Sequence, residues 1–395
     1  MFQYIKSLRP QRTPEYLAAW QLLADSDEVT IAQLDSGLAP HRGIGWTDRD
    51  APPPNLLISR GRNLFDPDAA GEAPLMPMRR PIGLSGLIEY PDHGTKTLSA
   101  LLGPGPELEG VIPGAHVVPY RVANGPLFRA AKGPAMKRRA TEALGEAIDH
   151  ALGLTPRPSV MTVSMGNPGF AGVFEPVRLL LGGDVGIARS TARAIDRAYE
   201  AGVIMVCAAG QVIETMVYPA KFARTIAVSG FDLRGSEHFH YPRAGYIEGD
   251  WMTLVDVWAR AMRINRASFD FTGPTPRPVF AETDPEGGEP SGTSYATPQV
   301  AGAAALWVAR WKPKLEELFG AEGERWKIVE SFRHALRESA AEVPTLLSGA
   351  RSDLPAPKIR ALDIPNLLKD KFEPRRDWPL TKRPAAADVP GGLLF

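Results

Sequence analysis

Three short stretches of this 395-residue chain carry side chains whose types and settings could do chemistry. In Gly292-Thr293-Ser294-Tyr295-Ala296-Thr297-Pro298-Gln299-Val300-Ala301-Gly302, a serine follows two small residues and precedes an apolar run, Ala296 to Trp311, that reads as a buried helix. Ser294 then sits at the helix N-terminus, where free backbone N–H groups and the dipole favour an oxyanion formed beside its hydroxyl. Pro298 is expected in the first turn, where a missing N–H costs little. Upstream, the strand-like Val29-Thr30-Ile31-Ala32-Gln33-Leu34 runs into Asp35-Ser36-Gly37, which puts a carboxylate at a strand's carboxyl end. Between them, Pro91-Asp92-His93-Gly94-Thr95 precedes Leu98, Leu101 and Leu102 at helical spacing, so His93 opens a helix. A serine hydroxyl is a poor nucleophile at neutral pH and needs a base that titrates near 7, itself oriented by a third group.

Alone, Gly-Thr-Ser reads as a polar loop, Asp-Ser-Gly as a turn and His-Gly-Thr as a chance triplet. The whole serine string, however, closely resembles the serine motif of the subtilisin-like serine proteases (subtilases), which asks for partners upstream in the order aspartate, histidine, serine. Asp35, His93 after 58 positions and Ser294 after a further 201 meet that demand. Gly110 to Val122, Tyr218-Pro219-Ala220-Lys221 and Thr225-Ile226-Ala227-Val228 continue the family pattern, and between 231 and 291 only Asp256-Val257-Trp258-Ala259 echoes it. The resemblance covers roughly residues 13–372.

What the resemblance implies is an α/β fold, subtilisin-like, with a mainly parallel central β-sheet and helices on both faces. It implies a serine endopeptidase in which Ser294 attacks a peptide bond, His93 is the base, Asp35 orients it, and an acyl-enzyme is then hydrolysed. Ser164, Met165 and Gly166 become the edge against which an extended polypeptide substrate pairs, with Ala208, Gly210 and Val217 also lining it. Val217, just before the Tyr-Pro pair, takes the position at the base of the pocket for the side chain preceding the cleaved bond. The oxyanion hole is expected from the Ser294 N–H and the side chain of Gln211, which stands where subtilases usually have asparagine. Gln33 departs from the apolar residues usual at its position. Two other readings stay open: a catalytically weak or idle subtilase fold used as a binding module, and an esterase or acyltransferase with the same three residues.

The elements that must position these groups alternate between helix and strand. Helical patterns run over 13–25, 135–152, 187–201, 323–340 and 357–371, with buried strands at 160–166 and 203–210, an alternation that argues for a parallel sheet covered on both faces. His41 to Met78 reads as an extended surface excursion, and Pro274 to Pro290 as a polar loop that could stand near the cleft. The organisation expected is an arm over 1–12, a catalytic domain over 13–372 and a tail over 373–395, the last too proline-rich for a core.

The totals narrow the classes further. Lys plus Arg and Asp plus Glu each number 45, so no global field recruits nucleic acid or an anionic membrane. Lys132, Lys137, Arg138 and Arg139 form the densest basic cluster, read as a solvated helix face. Cys207, the single cysteine, excludes an internal disulfide and reads as a core residue. His238 and His240 lack further ligands around them, so no metal is assigned; the chemistry calls for no cofactor, and structural calcium is left open. The N-terminal residues carry no apolar signal core, so a cytoplasmic protein is expected, or a secreted one if Met1 is an added start. With about 34 residues before Asp35 no prodomain is expected, and restraint of activity is then expected from a narrow cleft, a regulatory protein partner or the tail.

Overall fold

The structure is a computed structural model that describes residues 4–66, 71–77, 91–125, 134–166, 187–210, 216–234, 237–240, 255–283, 292–344 and 358–388. The helices are α1 (Pro14–Asp25), α2 (His93–Leu102), α3 (Pro134–Leu152), α4 (Arg189–Glu200), α5 (Thr293–Phe319), α6 (Trp326–Ser339) and the single turn α7 (Ile364–Leu367). The strands are β1 (Ile31–Asp35), β2 (Arg62–Asn63), β3 (Val117–Arg121), β4 (Val160–Val163), β5 (Ile204–Ala208), β6 (Ile226–Arg234), β7 (Glu237–His240), β8 (Val257–Arg260), β9 (Ala267–Asp270), β10 (Arg277–Phe280), β11 (Ala341–Pro344) and β12 (Lys358–Ala361).

Ten strands form one sheet in the order β11-β12-β8-β6-β5-β4-β1-β3-β2, with β7 added on β6, while β9 and β10 make a separate hairpin. Every pairing from β12 to β2 along this path is parallel; β11 and β7 join antiparallel. Because successive side chains of a strand point to opposite faces, the central strands divide their residues between two cores. Ile31, Val117, Val160, Ile204, Val206, Ile226, Val228 and Val257 join the core that includes residues of α1, α2, α5 and α6. Ala32, Leu34, Val118, Tyr120, Met161, Val163, Met205 and Ala227 join the other, with residues of α3 and α4. Cys207 belongs to that second core, fully buried between β4 and β6, and burial pushes its thiol well up. Helices on both faces of a mainly parallel sheet are thus the observed architecture.

α5 is the spine of the first core. Thr293 and every residue from Tyr295 to Ala309 are buried, so the helix is apolar all round because it is enclosed all round. Removing Trp307, which is fully buried, down to alanine would cost about 3–5 kcal/mol. The helix starts at Thr293, so Pro298 falls in the second turn rather than the first, and the carbonyl of Ser294 gets no amide from it.

Four other expectations change. The 41–78 segment is no mere surface excursion: Ile44, Trp46, Leu56, Phe65 and Met76 are buried, and β2 extends the sheet edge. Over 357–371 the chain forms β12 and then α7, because the alternation in Lys358–Ala361 is met by pairing with β11 and β8. Within 274–290 the described part includes β10, paired with β9. The segment beyond Glu373 is laid along the domain through residue 388. Its backbone amides at Ala386 and Ala387 donate to Asp196 at 2.7 and 3.0 Å, Arg383 N donates to the Tyr199 hydroxyl at 3.1 Å, and Trp378 lies on His334. At the other end Ile5 and Leu8 are tied by backbone bonds to Arg263 and Glu109.

Beneath the C-terminal segment lies a charged cluster. Asp256 is fully buried and accepts from Arg333 at 2.6 Å, from Arg337 and from the Ala227 amide at 2.9 Å, fastening α6 to the start of β8. No helix among the described residues is long and apolar enough to cross a membrane.

Candidate active site

Asp35 ends β1 and His93 begins α2, and the two meet: His93 Nδ1 lies 2.7 Å from Asp35 Oδ1, with both side chains buried. The contact is built by the residues after the aspartate. The Ser36 amide donates to Asp35 Oδ1 at 2.7 Å, while the Ser36 hydroxyl donates to Pro91 O at 2.9 Å and accepts from the Gly94 amide at 2.9 Å. Asp92 gives α2 no side-chain cap, so this serine, 58 residues away, satisfies one of its orphan N–H groups. A Cβ on Gly94 would sit 2.3 Å from Gly37 O, so only glycine lets α2 approach the aspartate loop this closely.

Two charged groups brace this junction. Asp92 pairs with Lys96 at 2.9 Å and accepts from Phe269 N at 3.1 Å, which holds α2 against β9. Behind the loop, buried Arg121 donates to Ser36 O at 2.6 Å and Ala123 O at 3.0 Å and pairs with Asp66. Burial pushes the Asp66 carboxyl up, but the hydrogen bond and charge of Arg121 outweigh it and leave it below the usual carboxylate range.

Ser294 lies in the first turn of α5, half-buried in an otherwise enclosed run, with its N–H where no intrahelical acceptor exists. β8 anchors that turn: Gly292 N donates to Ala261 O at 2.9 Å and Gln299 Nε2 to Arg260 O at 2.6 Å. The Ser294 hydroxyl donates to the Ser164 carbonyl at 2.7 Å. A hydroxyl has one proton, so in this rotamer the bond is made to the strand exit of β4 and not to His93. The Gly210 amide donates to Thr293 Oγ1 at 3.3 Å, which brings the exit of β5 beside the same turn.

Val217 lies between two glycines of those exits. A Cβ on Gly166 would meet Val217 Cγ2 at 2.3 Å, and one on Gly210 would meet Cγ1 at 2.8 Å. Ser164, Met165, Ala208 and Val217 are buried in this wall. Two groupings are thus observed, Asp35 with His93, and the Ser294 turn with the exits of β4 and β5 and with Val217; Gln211 lies outside the described residues, as do Lys132 and the side chains of the basic cluster after it.

Sequence reasoning missed one feature and left another without account. Gln33, buried in β1, donates from Nε2 to Gly94 O at 2.8 Å and to Thr97 Oγ1 at 2.9 Å, and Thr97 Oγ1 lies 3.0 Å from Asp35 Oδ2. The signal was the polar residue in an apolar strand; nothing in the chain pointed to Thr97. Among the described residues no group of three or more His, Cys, Asp or Glu side chains converges as a metal site.

The subtilase family profile matches residues 87–349, two thirds of the chain, which includes His93 and Ser294 and begins beyond Asp35. The chain belongs to the subtilase family. Among solved structures it is similar to fervidolysin from Fervidobacterium pennivorans, a keratinolytic enzyme related to subtilisin, at 17% identity and TM-score 0.54 over 89% of this chain and 44% of that one. It is also similar to a protease from Pseudoalteromonas arctica, at 19% identity and TM-score 0.56 over 90% and 92% of the two chains, and to sphericase, at 18% and 0.51 over 87% and 96%. The chain therefore spans under half the length of fervidolysin, and at these identities the likeness is one of fold. Curated protein sequences offer no match. Family and fold together support a serine protease.

Proposed function

We propose that the chain is a serine endopeptidase in which Asp35, His93 and Ser294 act as the triad. The observation that carries this reading is the buried 2.7 Å contact between Asp35 and His93 Nδ1, which leaves Nε2 as the nitrogen to take a proton. An extended polypeptide pairs with the Ser164–Gly166 edge and presents its carbonyl to the first turn of α5. Rotation about χ1 takes the Ser294 hydroxyl from Ser164 O to His93 Nε2, and frees that carbonyl for the substrate. Ser294 attacks, His93 takes the proton, and Asp35 steadies the imidazolium. The oxyanion meets the Ser294 N–H and, in this reading, the Gln211 amide, whose chemistry matches asparagine with one methylene more of reach. His93 then gives its proton to the leaving amine, and water hydrolyses the acyl-enzyme.

A serine-directed fluorophosphonate tests the reading. Labelling of the full chain that disappears in Ser294→Ala, with cleavage of an extended peptide, is expected; no labelling above that of Ser294→Ala overturns it. Gln211→Ala is expected to slow turnover about 100-fold with little change in KM.

The resting bond from Ser294 to Ser164 favours a second reading, a subtilase fold that binds extended polypeptides without cutting them. Saturable peptide binding by a protein that the probe does not label would support it.

A further inference from the structure

We propose that Gln33 and Thr97 form a positioning pair that fixes the second oxygen of the Asp35 carboxylate, and through it the imidazole of His93. The inference rests on the triad reading above.

Proton counting carries it. The Gly94 carbonyl can only accept, so the end of the Gln33 side chain 2.8 Å from it is the NH2 and not the oxygen. Its other proton goes to Thr97 Oγ1 at 2.9 Å. That hydroxyl has one proton and two acceptors within reach, Asp35 Oδ2 at 3.0 Å and Gly94 O at 3.1 Å. The second bond is the ordinary back-bond of a helical threonine to its own preceding turn. Here Gly94 O already holds a Gln33 proton, and a carboxylate is the stronger acceptor, so the Thr97 proton is directed to Asp35. Donation by Gln33 also polarises the hydroxyl further in the same direction.

The consequence is a division of labour between the two carboxylate oxygens. Oδ1 takes the Ser36 amide and His93 Nδ1, and Oδ2 takes Thr97. Donors on both oxygens stop the carboxylate from swivelling about its last torsion, which keeps the His93 ring plane and tautomer fixed. Gln33, Thr97 and Asp35 are all buried, so water is not at hand to replace a missing donor. With Gln33 removed, Gly94 O loses one donor and competes better for the Thr97 proton. With Thr97 stripped of its hydroxyl instead, Gln33 no longer reaches Asp35 at all, so its own removal then changes nothing at the carboxylate.

The experiment uses the full chain and four variants: Thr97→Val, Thr97→Ser, Gln33→Met and the double Gln33→Met/Thr97→Val. On an extended peptide substrate, Thr97→Val is expected to lower kcat about tenfold with KM within about twofold, and Thr97→Ser to restore it. Gln33→Met is expected to lower kcat by a smaller factor alone and to add nothing in the Thr97→Val background. A purely structural tie between β1 and α2 would instead lower the melting temperature, leave kcat unchanged and add in the double variant, and that outcome overturns the proposal. The proton on His93 Nδ1, followed by NMR in histidine-labelled protein and assigned with His93→Ala, gives a readout without turnover. It is expected to shift in Thr97→Val and return in Thr97→Ser. An unmoved resonance overturns the pair even if the enzyme is active. A wild type that cleaves no peptide and takes no fluorophosphonate, but whose His93 resonance still moves in Thr97→Val, overturns the endopeptidase reading while upholding the positioning. Should Gln33→Met fail to fold, the threonine series alone carries the test.

Discussion

Gly94 and Gly37 touch backbone to backbone: the first turn of the histidine helix rests on the loop that follows the aspartate, with no room for a methyl group between them. This contact sets the distance between Asp35 and His93. Gly94→Ala must push the helix away from the loop, and a displacement of about 1 Å at a catalytic contact costs about 100-fold in rate. Fluorophosphonate labelling is expected to slow by about that factor, in protein that still melts cooperatively. Labelling at the wild-type rate would show that the helix approach does not govern the site.

Asp35→Asn keeps the size of the side chain but loses the charge, and its amide can present NH2 to His93 Nδ1 and force the wrong tautomer. kcat is expected to fall about 10⁴-fold, with KM nearly unchanged. A loss under about tenfold would mean that the aspartate does not serve the histidine in the reaction.

Val217 fills the space between Gly166 and Gly210, and in the proposed endopeptidase it is the floor of a shallow pocket for the side chain preceding the cleaved bond. Cleavage of a peptide library is expected chiefly after small or medium apolar residues, and Val217→Gly is expected to extend it to large ones. Cleavage mainly after Phe, Tyr, Lys or Arg in the unaltered protein would remove Val217 from the pocket.

The Asp256 cluster gives a pH dependence with a definite sign. Burial pushes the Asp256 carboxyl up, but the charges of Arg333 and Arg337 and the Ala227 amide outweigh it, so the net effect is downward. A carboxyl depressed in the folded state stabilises fully above its unfolded value near 3.8 and loses that contribution as the pH falls through the lower folded value. Arg333→Met leaves the carboxylate under-compensated and is expected to cost about 3–5 kcal/mol at neutral pH. In the variant Asp256 protonates at higher pH than in the wild type, so the stability gap should narrow as the pH drops toward and below 3.8. Denaturant melts across pH 3 to 7 measure it, and a gap that stays constant or widens on acidification excludes this account.

The parts legible in the sequence are those whose signal is local. β1 before Asp35, α2 after His93 and the enclosed α5 each announce themselves by apolar periodicity next to a short polar motif. Other parts depend on partners far along the chain. Gln33 reads as an anomaly because its acceptors, Gly94 and the Thr97 hydroxyl, lie more than 60 residues away. The prolines of 373–388 read as a tail too proline-rich for a core, which conceals the docking made by Asp196, Tyr199 and His334. Trp46 and Phe65 were hidden in the same way, since turn-rich composition says nothing of what a loop folds over.

Cys207 turns the enclosure of the sheet into a measurable rate. It is the chain's one thiol, shut between β4 and β6, and a thiol reagent reaches it only when those strands part. Each modification therefore counts one opening of the centre of the sheet, with no background from a second site. Followed against denaturant, the labelling rate reads the opening free energy of β5 directly, in protein carrying no introduced probe. A residue with no part in the proposed chemistry is thereby a clock for the stability of the strand that leads to Gly210.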